Sequence, residues 1–423
     1  MVQKMRKMKD SGIEWIGEIP EGWEVSLLKY ATRWKSEKGC PDAPVLSLYR
    51  DFGVVPKDSR DDNHNVTSLD TSNYKVVDIG DLVINKMKAW QGSMAVSDYR
   101  GIVSPAYHVC SITSNKVNKR YLHHLLRNPA YLPEYARLST GMRIGQWDLG
   151  FDDFKNIPFL IPPLDEQAKI ADYLDNGCAS LDTILDKTRS SIEEYKKLKQ
   201  AVITQAVTKG VHSEREMKDS GVEWIGKVPS KWNCIKIKYL FEIRKRIAGK
   251  EGYTVLSITQ TGIKPKNISS NEGQLADSYS NYQLLYSGEF AMNHMDLLTG
   301  WVDISNYNGV TSPDYRVFSL KDTITNHPRY FLYLMQSCYF NRIFYSMAQG
   351  VSNLGRWRLQ SDKFLNCIFP VPSIEEQKEI SDYLDTTCSE IDKLIAKKEQ
   401  LAKELESYKK SLIYEVVTGK REV

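Results

Sequence analysis

The stretch from Leu164 to Gly210 is written twice, returning from Ile374 to Lys420, and few folds can accommodate it. In heptads its a positions are Ala171, Cys178, Leu185, Ile192, Lys199 and Ala206, and its d positions are Leu174, Leu181, Thr188, Tyr195 and Val202. The later copy places Ser381, Cys388, Ile395, Ala402, Lys409 and Val416 at a, with Leu384, Ile391, Lys398, Leu405 and Leu412 at d. A mostly apolar seam repeating every 3.5 residues marks a helix that buries itself against another helix, and two such seams in one chain can bury each other. Each copy opens alike, Asp165-Glu166-Gln167 against Glu375-Glu376-Gln377, just after Pro162-Pro163 or Pro372. Acidic residues favour the positive end of the helix dipole, and the prolines stop a helix from extending further back. At 1.5 Å per residue, about 45 residues make a rod of roughly 65 Å, a length that no compact enzyme core requires.

The rest of the chain repeats as well. Met8-Lys9-Asp10-Ser11-Gly12-Ile13-Glu14-Trp15-Ile16-Gly17, continuing to Pro20 and Trp23, returns from Met217 to Gly226, continuing to Pro229 and Trp232. That spacing is too long for a solenoid unit and suits a duplicated domain with its helix. Ser104-Pro105-Ala106-Tyr107 answers Ser312-Pro313-Asp314-Tyr315, and Gly145-Gln146-Trp147 answers Gly355-Arg356-Trp357. Short Val/Ile/Leu-rich runs bounded by Gly, Asp and Ser read as strands and turns, and Lys119 to Arg127 and His327 to Phe344 read as helices. The expected fold class is α+β: two similar globules separated by two long helices that form an antiparallel intramolecular coiled coil with pseudo-two-fold symmetry. The expected segments are a first domain at 1–161, a central helix at 162–212, a second domain at 213–371 and a C-terminal helix at 372–423. The segment Val207 to Met217 joins one helix to the next globule, so the two chain termini are expected to meet at the equivalent corner.

Between the copies the middle of each globule, roughly Lys35 to Asp98 against Lys245 to Asp303, has diverged almost entirely. Two cores on one plan therefore carry different surfaces. With 423 residues, 41% hydrophobic and 26% charged, the chain has material for two cores, and a net charge of +4 leaves any nucleic-acid surface to local clustering. Seven cysteines without a CxxC pair argue against a disulfide framework or a zinc site and suit a reducing cytoplasm. Met1 to Asp10 lacks an apolar h-region and no run approaches a membrane span, so a soluble cytoplasmic protein is expected.

Chemistry motifs are absent: there is no GxGxxG, GxxxxGK[ST] or HExxH. Asn156-Ile157-Pro158-Phe159 departs at Ile157 from the Asn/Asp-Pro-Pro-Tyr/Phe loop of amino-methyltransferases, and reads as a strand leading into the helix. His123-His124 has no carboxylate or cysteine at ligand spacing, so no metal site is expected. Binding chemistry is present. Lys86, Lys88, Trp90, Gln91 and Ser93 lie in one strand-following loop, with Asn293, His294, Asp296 and Thr299 in its counterpart. A second cluster brings Arg143 and Gln146, answered by Ser352, Asn353, Arg356 and Arg358. Cations reach phosphates or guanine edges, amides pair with adenine, and indole packs on the sugar-phosphate edge. Trp147 and Trp357 read as core anchors, and the run Lys236, Lys238, Arg244, Lys245, Arg246, Lys250 as a solvated face.

The duplicated MKDSGxEWIGxxP opening, the P-x-x-[DE]-E-Q-x-x-I-x-x-Y-L-D helix start and the helix ends Ala206 to Gly210 and Val416 to Lys420 resemble the specificity (S) subunit of type I restriction-modification systems. The resemblance covers nearly the whole chain. It implies that each globule is a target-recognition domain reading one half of a bipartite double-stranded DNA target, with the helices as spacer. It further implies that two modification (M) subunits, which use S-adenosylmethionine to methylate adenine, dock on the helices, and that restriction (R) subunits join for ATP-driven translocation and cleavage. S-adenosylmethionine, ATP and Mg would then belong to partners, and this chain would bind no cofactor and catalyse nothing. Because the globules have diverged, the half-sites should be unrelated, giving an asymmetric target with an unread centre. Lys199 and Lys409 at a, and Thr188 and Lys398 at d, should weaken the apolar seam while setting register or facing docked helices. A free-standing regulatory DNA binder and a protein-binding scaffold are the other classes; salt-dependent affinity for duplex DNA separates them.

Overall fold

The computed structural model of the chain describes residues 6–50, 52–60, 67–68, 70–141, 147–268, 276–348 and 357–423. It falls into two compact units, Met1–Arg189 with Glu399–Val423, and Ser190–Lys398. Both divisions lie inside the long helices, Leu164–Lys209 and Ile374–Val417. The reason is packing: each half-helix shares a core with the globule beside it. In the first unit Ile170, Leu174 and Leu181 join Leu412 and Val416 in one cluster with Trp23, Tyr121 and Phe159. In the second, Ile203 and Ala206 join Ile380, Leu384 and Cys388 with Trp232, Tyr330 and Phe369.

The repeated opening folds identically in both units. Met8–Asp10 pairs with Glu18–Pro20, and Met217–Asp219 pairs with Lys227–Pro229. The Asp10 and Asp219 carboxylates each accept the N–H two residues on, from Gly12 and Gly221, both at 2.9 Å. Those glycines sit at φ +72° and +69°, a left-handed turn that a side chain would strain. The repeated tryptophans that follow are buried, and each indole N–H donates to a helix-start carboxylate: Trp23 to Glu166 at 3.0 Å, Trp232 to Glu376 at 2.9 Å. Arg6 and Arg215 pair with the same two glutamates. The glutamine that follows is fully buried. Gln167 accepts the Asn118 N–H at 2.7 Å and donates to the Pro162 carbonyl at 2.7 Å; Gln377 accepts the His327 N–H at 2.7 Å and donates to the Pro372 carbonyl at 3.0 Å. The shared Glu-Gln is thus a joint between helix and globule, beyond any dipole effect.

Each globule is built on a four-stranded antiparallel sheet. In the first the order is Thr32–Lys35, Tyr107–Ile112, Asp81–Asn85, Met94–Val96; in the second it is Phe241–Arg244, Arg316–Leu320, Phe290–Met292, Val302–Ile304. Pro158–Ile161 pairs with Glu24–Leu27 and leads into the central helix, and Ile368–Val371 pairs with Asn233–Lys236 before the C-terminal helix. Buried Tyr121 and Tyr330 donate their hydroxyls to helix-end carbonyls, Val417 at 3.4 Å and Val207 at 3.1 Å. Lys420 donates to the Ile16 carbonyl at 2.8 Å as Lys209 does to Ile225 at 2.8 Å, so the end of the C-terminal helix meets the opening hairpin at the corner expected.

The two long helices pair antiparallel. In the first unit Lys409 bonds both oxygens of Asp182, and Arg189 reaches Glu406; in the second Lys199 bonds both oxygens of Asp392, and Lys398 lies 5.7 Å over the Tyr195 ring. The a-position lysines therefore meet aspartates on the facing helix. Both aspartates are more than half exposed, so each pair contributes only about 0.2–1 kcal/mol and sets register more than stability. Stability comes from the apolar layers: Leu174, Leu181, Leu185, Ile192, Leu384, Ile391 and Leu412 are buried, while Val202, Ile395 and Leu405 are half-buried. Leu412→Ala should cost about 2–4 kcal/mol in urea unfolding, and Leu405→Ala clearly less.

A second joint ties the helix to the globule in the first unit, where Arg120 pairs with Asp172 and Asp175 and His124 Nε2 meets Asp175 at 2.6 Å. The hydrogen bond with His124, with help from Arg120 and against partial burial, lowers the Asp175 pKa from an ordinary 3.8 to about 2. A carboxylate depressed on folding adds stability that is whole above the unfolded value and is lost as pH falls through the folded one. The first unit should therefore lose stability between about pH 4 and pH 2. Asp175→Asn should flatten that part of a melting-temperature profile against pH; an unchanged profile would refute the joint.

Candidate nucleic-acid interface

The loop that leaves strand Asp81–Asn85 is closed by its own backbone. Asn85 N–H bonds the Ser93 carbonyl at 3.0 Å, Ala89–Gln91 forms a 3-10 turn, and Gly92 completes it at φ +81°. Lys88 and Gln91 point outward and are exposed. Lys86 is half-buried and bonds Asp148 at 2.9 Å, while the Trp90 ring packs edge-on against Trp147 at 5.1 Å. Ser93 differs from expectation. It is only 3% exposed, because it follows the turn glycine directly into strand Met94–Val96, so it belongs to the loop's frame and not to its outer face.

In the second unit the counterpart loop is held by side chains. Asn293 Oδ1 accepts the N–H groups of Met295 and Asp296 at 3.2 and 3.3 Å, and Asp296 Oδ1 accepts those of Leu298 and Thr299, both at 3.1 Å. The Thr299 hydroxyl donates to Asp296 Oδ2. These three residues thus spend much of their hydrogen-bonding capacity on the turn. His294 departs from expectation more sharply: it is 7% exposed, and burial, then Arg316 and Arg358, lowers its pKa to about 3. It is a neutral core ring and cannot serve as a cation for phosphate.

The residues that close the second cluster are bonded to the first loop in each unit. Leu149 N–H bonds the Lys86 carbonyl and Leu359 N–H bonds the His294 carbonyl, both at 3.0 Å. Trp147 and Trp357 are half-buried anchors, the latter 4.8 Å from the Tyr345 ring. Arg358 is exposed. Arg143, Gln146, Ser352, Asn353 and Arg356 lie outside the described residues. Sequence reading missed the groups beneath the loops: Asp148, and the buried His108 and Arg316, which touch the carbonyls of Leu149 and Leu359 at 3.1 and 2.9 Å. The available signal was that His108 and Arg316 directly follow the matched Ser-Pro-x-Tyr tetrapeptides and differ from each other.

The basic run is mostly engaged locally. Arg244 pairs with Glu242, and Arg246 with Glu289 while lying 4.6 Å over Tyr286. His123 accepts the Val96 N–H at 3.2 Å and is held neutral by burial, and no cluster of metal-ligating residues occurs among the described residues. No described helix is long and apolar enough to cross a membrane.

Two like domains, each built on a four-stranded antiparallel sheet and sharing its core with parts of both long helices, define a tandem duplicated protein. The profile of the type I restriction modification DNA specificity domain matches residues 34–194 and 229–406, and the chain belongs to that family. It is similar to the type I restriction enzyme MjaVIII specificity subunit of Methanocaldococcus jannaschii, 25% identical over 95% of this chain and 93% of that one. A putative type I restriction enzyme MjaX specificity subunit of the same organism is 24% identical over 96% and 95%. In fold it resembles a chain from a structure of the assembly and conformational transition of a type I R-M system, with TM-score 0.70 and 13% identity over 95% and 99% of the two chains. The HsdS subunit from Thermoanaerobacter tengcongensis gives TM-score 0.52 at 14% identity over 95% and 98%. The family is one of specificity subunits and not of catalysts.

Asp296→Ala should remove a turn cap and cost about 1 kcal/mol in urea unfolding, whereas the exposed Lys88→Ala should change stability by less than about 0.5 kcal/mol.

Proposed function

We propose that each unit reads one half of a bipartite, asymmetric DNA target, and that the paired helices set the gap and dock two modification subunits. The observation that carries this reading is a common frame under unlike loops. Both units tie the residue that follows the second cluster to the base of the first loop through the same main-chain bond, from Leu149 to Lys86 and from Leu359 to His294. The side chains on that frame differ in charge: Lys86 pairs with Asp148 in the first, while the second carries neutral His294 and the cation Arg358. Surfaces so different would read unrelated half-words.

The exposed Lys88 and Gln91 in the first unit, and Arg358 in the second, are the described side chains best placed for phosphates or base edges, and Trp90 supports the first loop. Arg143, Gln146, Ser352, Asn353 and Arg356 are assigned to DNA by sequence alone. Asn293, Asp296 and Thr299 would act mainly by shaping their loop. Methylation, translocation and cleavage, with S-adenosylmethionine, ATP and Mg, would belong to the modification and restriction subunits in the cytoplasm.

A chain carrying residues 245–359 in place of 35–149, assembled with its modification subunits, should methylate a target in which the second half-word occurs twice in inverted order. Sequencing of methylated sites reads this directly. An unchanged target would refute the assignment of reading to the globules.

A further inference from the structure

A polar clamp is built twice beneath the loops. In the first unit Lys75 sends Nζ to the Tyr107 carbonyl at 2.5 Å, and the next residue, His108, meets the Leu149 carbonyl through Nε2 at 3.1 Å. In the second unit Gln283 donates to the Tyr315 carbonyl at 2.6 Å, and Arg316 donates from Nη2 to the Leu359 carbonyl at 2.9 Å. All four side chains are under 9% exposed. Leu149 and Leu359 turn their N–H groups to the carbonyls of Lys86 and His294, so the clamp fixes where the second loop ends relative to where the first begins.

The two clamps exchange their charges. Lys75 is the cation of the first, and burial together with Lys75 pushes the His108 imidazole below its ordinary pKa. In the second unit the partner at Lys75's place is neutral Gln283, and the cation is Arg316, lowered to about 10 by burial but still charged. Neither cation has a carboxylate partner among the described residues. Lys75 bonds a carbonyl, 5.1 Å over the Trp34 ring; Arg316 bonds a carbonyl, the Ser361 hydroxyl and the Met292 sulfur, 4.7 Å over Phe364. Carbonyl dipoles and a ring face can hold one desolvated cation, and a second beside it would add repulsion: the carboxylate that acts on His108, Asp148, is already paired with Lys86.

We infer that Lys75 with His108, and Gln283 with Arg316, are positioning pairs that set the register between the two recognition loops of their unit, and that each clamp accepts one cation only. This rests on the DNA-recognition reading above.

The test uses the full chain with its modification subunits, and the variants Lys75→Gln, His108→Arg and the two combined. His108→Arg puts two cations in one clamp. It should lower the melting temperature by on the order of 5 °C and weaken discrimination about tenfold at the base pairs of one half-word, leaving the other half-word intact as an internal control. Lys75→Gln/His108→Arg copies the second unit's pair and should recover most of both losses. If His108→Arg does not fold, soluble assembly of the double variant is the same rescue. A double variant no better than His108→Arg, additive effects, or a loss spread over both half-words would overturn the proposal. Should the wild-type complex methylate no divided word, the recognition reading fails instead, and coupling between the two positions in thermal melts still decides the clamp.

Discussion

Each unit depends on a helix pair whose strands come from distant parts of the chain. A helix of this composition is marginal alone in water, and its stability has to come from burying one face. The first unit supplies that burial by bringing the start of the central helix and the end of the C-terminal helix onto one core, around Trp23, Tyr121 and Leu412. The second does the converse around Trp232, Tyr330 and Leu384. Neither unit is complete without a piece of both helices. That is why the compact divisions fall within the helices, and why Asp182–Lys409 and Asp392–Lys199 are counterparts of each other.

Fixing the helix ends is the second requirement, because a long amphipathic rod can slide or rotate on its globule. Both units solve it with the same three contacts: an indole N–H on a first-turn glutamate, a buried glutamine bridging two main-chain groups, and a tyrosine hydroxyl on the closing carbonyls of the partner helix. Burial makes these bonds specific, since an unpaired Gln167 or Tyr121 would cost more than the bond itself contributes.

The seam, the duplication and the strand-turn character of the globules were legible in sequence because they are periodic or local. What could not be read was long-range partnership. Glu166 looked like a favourable charge at a helix start, and its real role needs Trp23 and Arg6, far away in sequence. Loop composition likewise says nothing of which side chains turn inward. Ser93 and His294 have the right chemistry for DNA, yet one continues into a strand and the other is buried within reach of the charges of Arg316 and Arg358, so that burial removes its own charge. Lys88, Gln91 and Arg358, by contrast, stand exposed where the pattern placed them.

A frame that tolerates such divergence above it must not depend on the side chains it displays. The structure meets that condition by anchoring the loops through main-chain atoms: Leu149 N–H on the Lys86 carbonyl, Leu359 N–H on the His294 carbonyl, and the carbonyls of Tyr107, Tyr315, Leu149 and Leu359 as acceptors from below. Every residue type offers the same carbonyl, so Lys86 can give way to His294, or Asp148 to Arg358, without breaking a bond of the frame. The supporting donors are freer still. Lysine with histidine, or glutamine with arginine, reaches the same pair of oxygens, and the constraint that survives is one of charge count in a buried space. New loop chemistry can therefore arise on an unchanged scaffold, as the two units of this chain already illustrate.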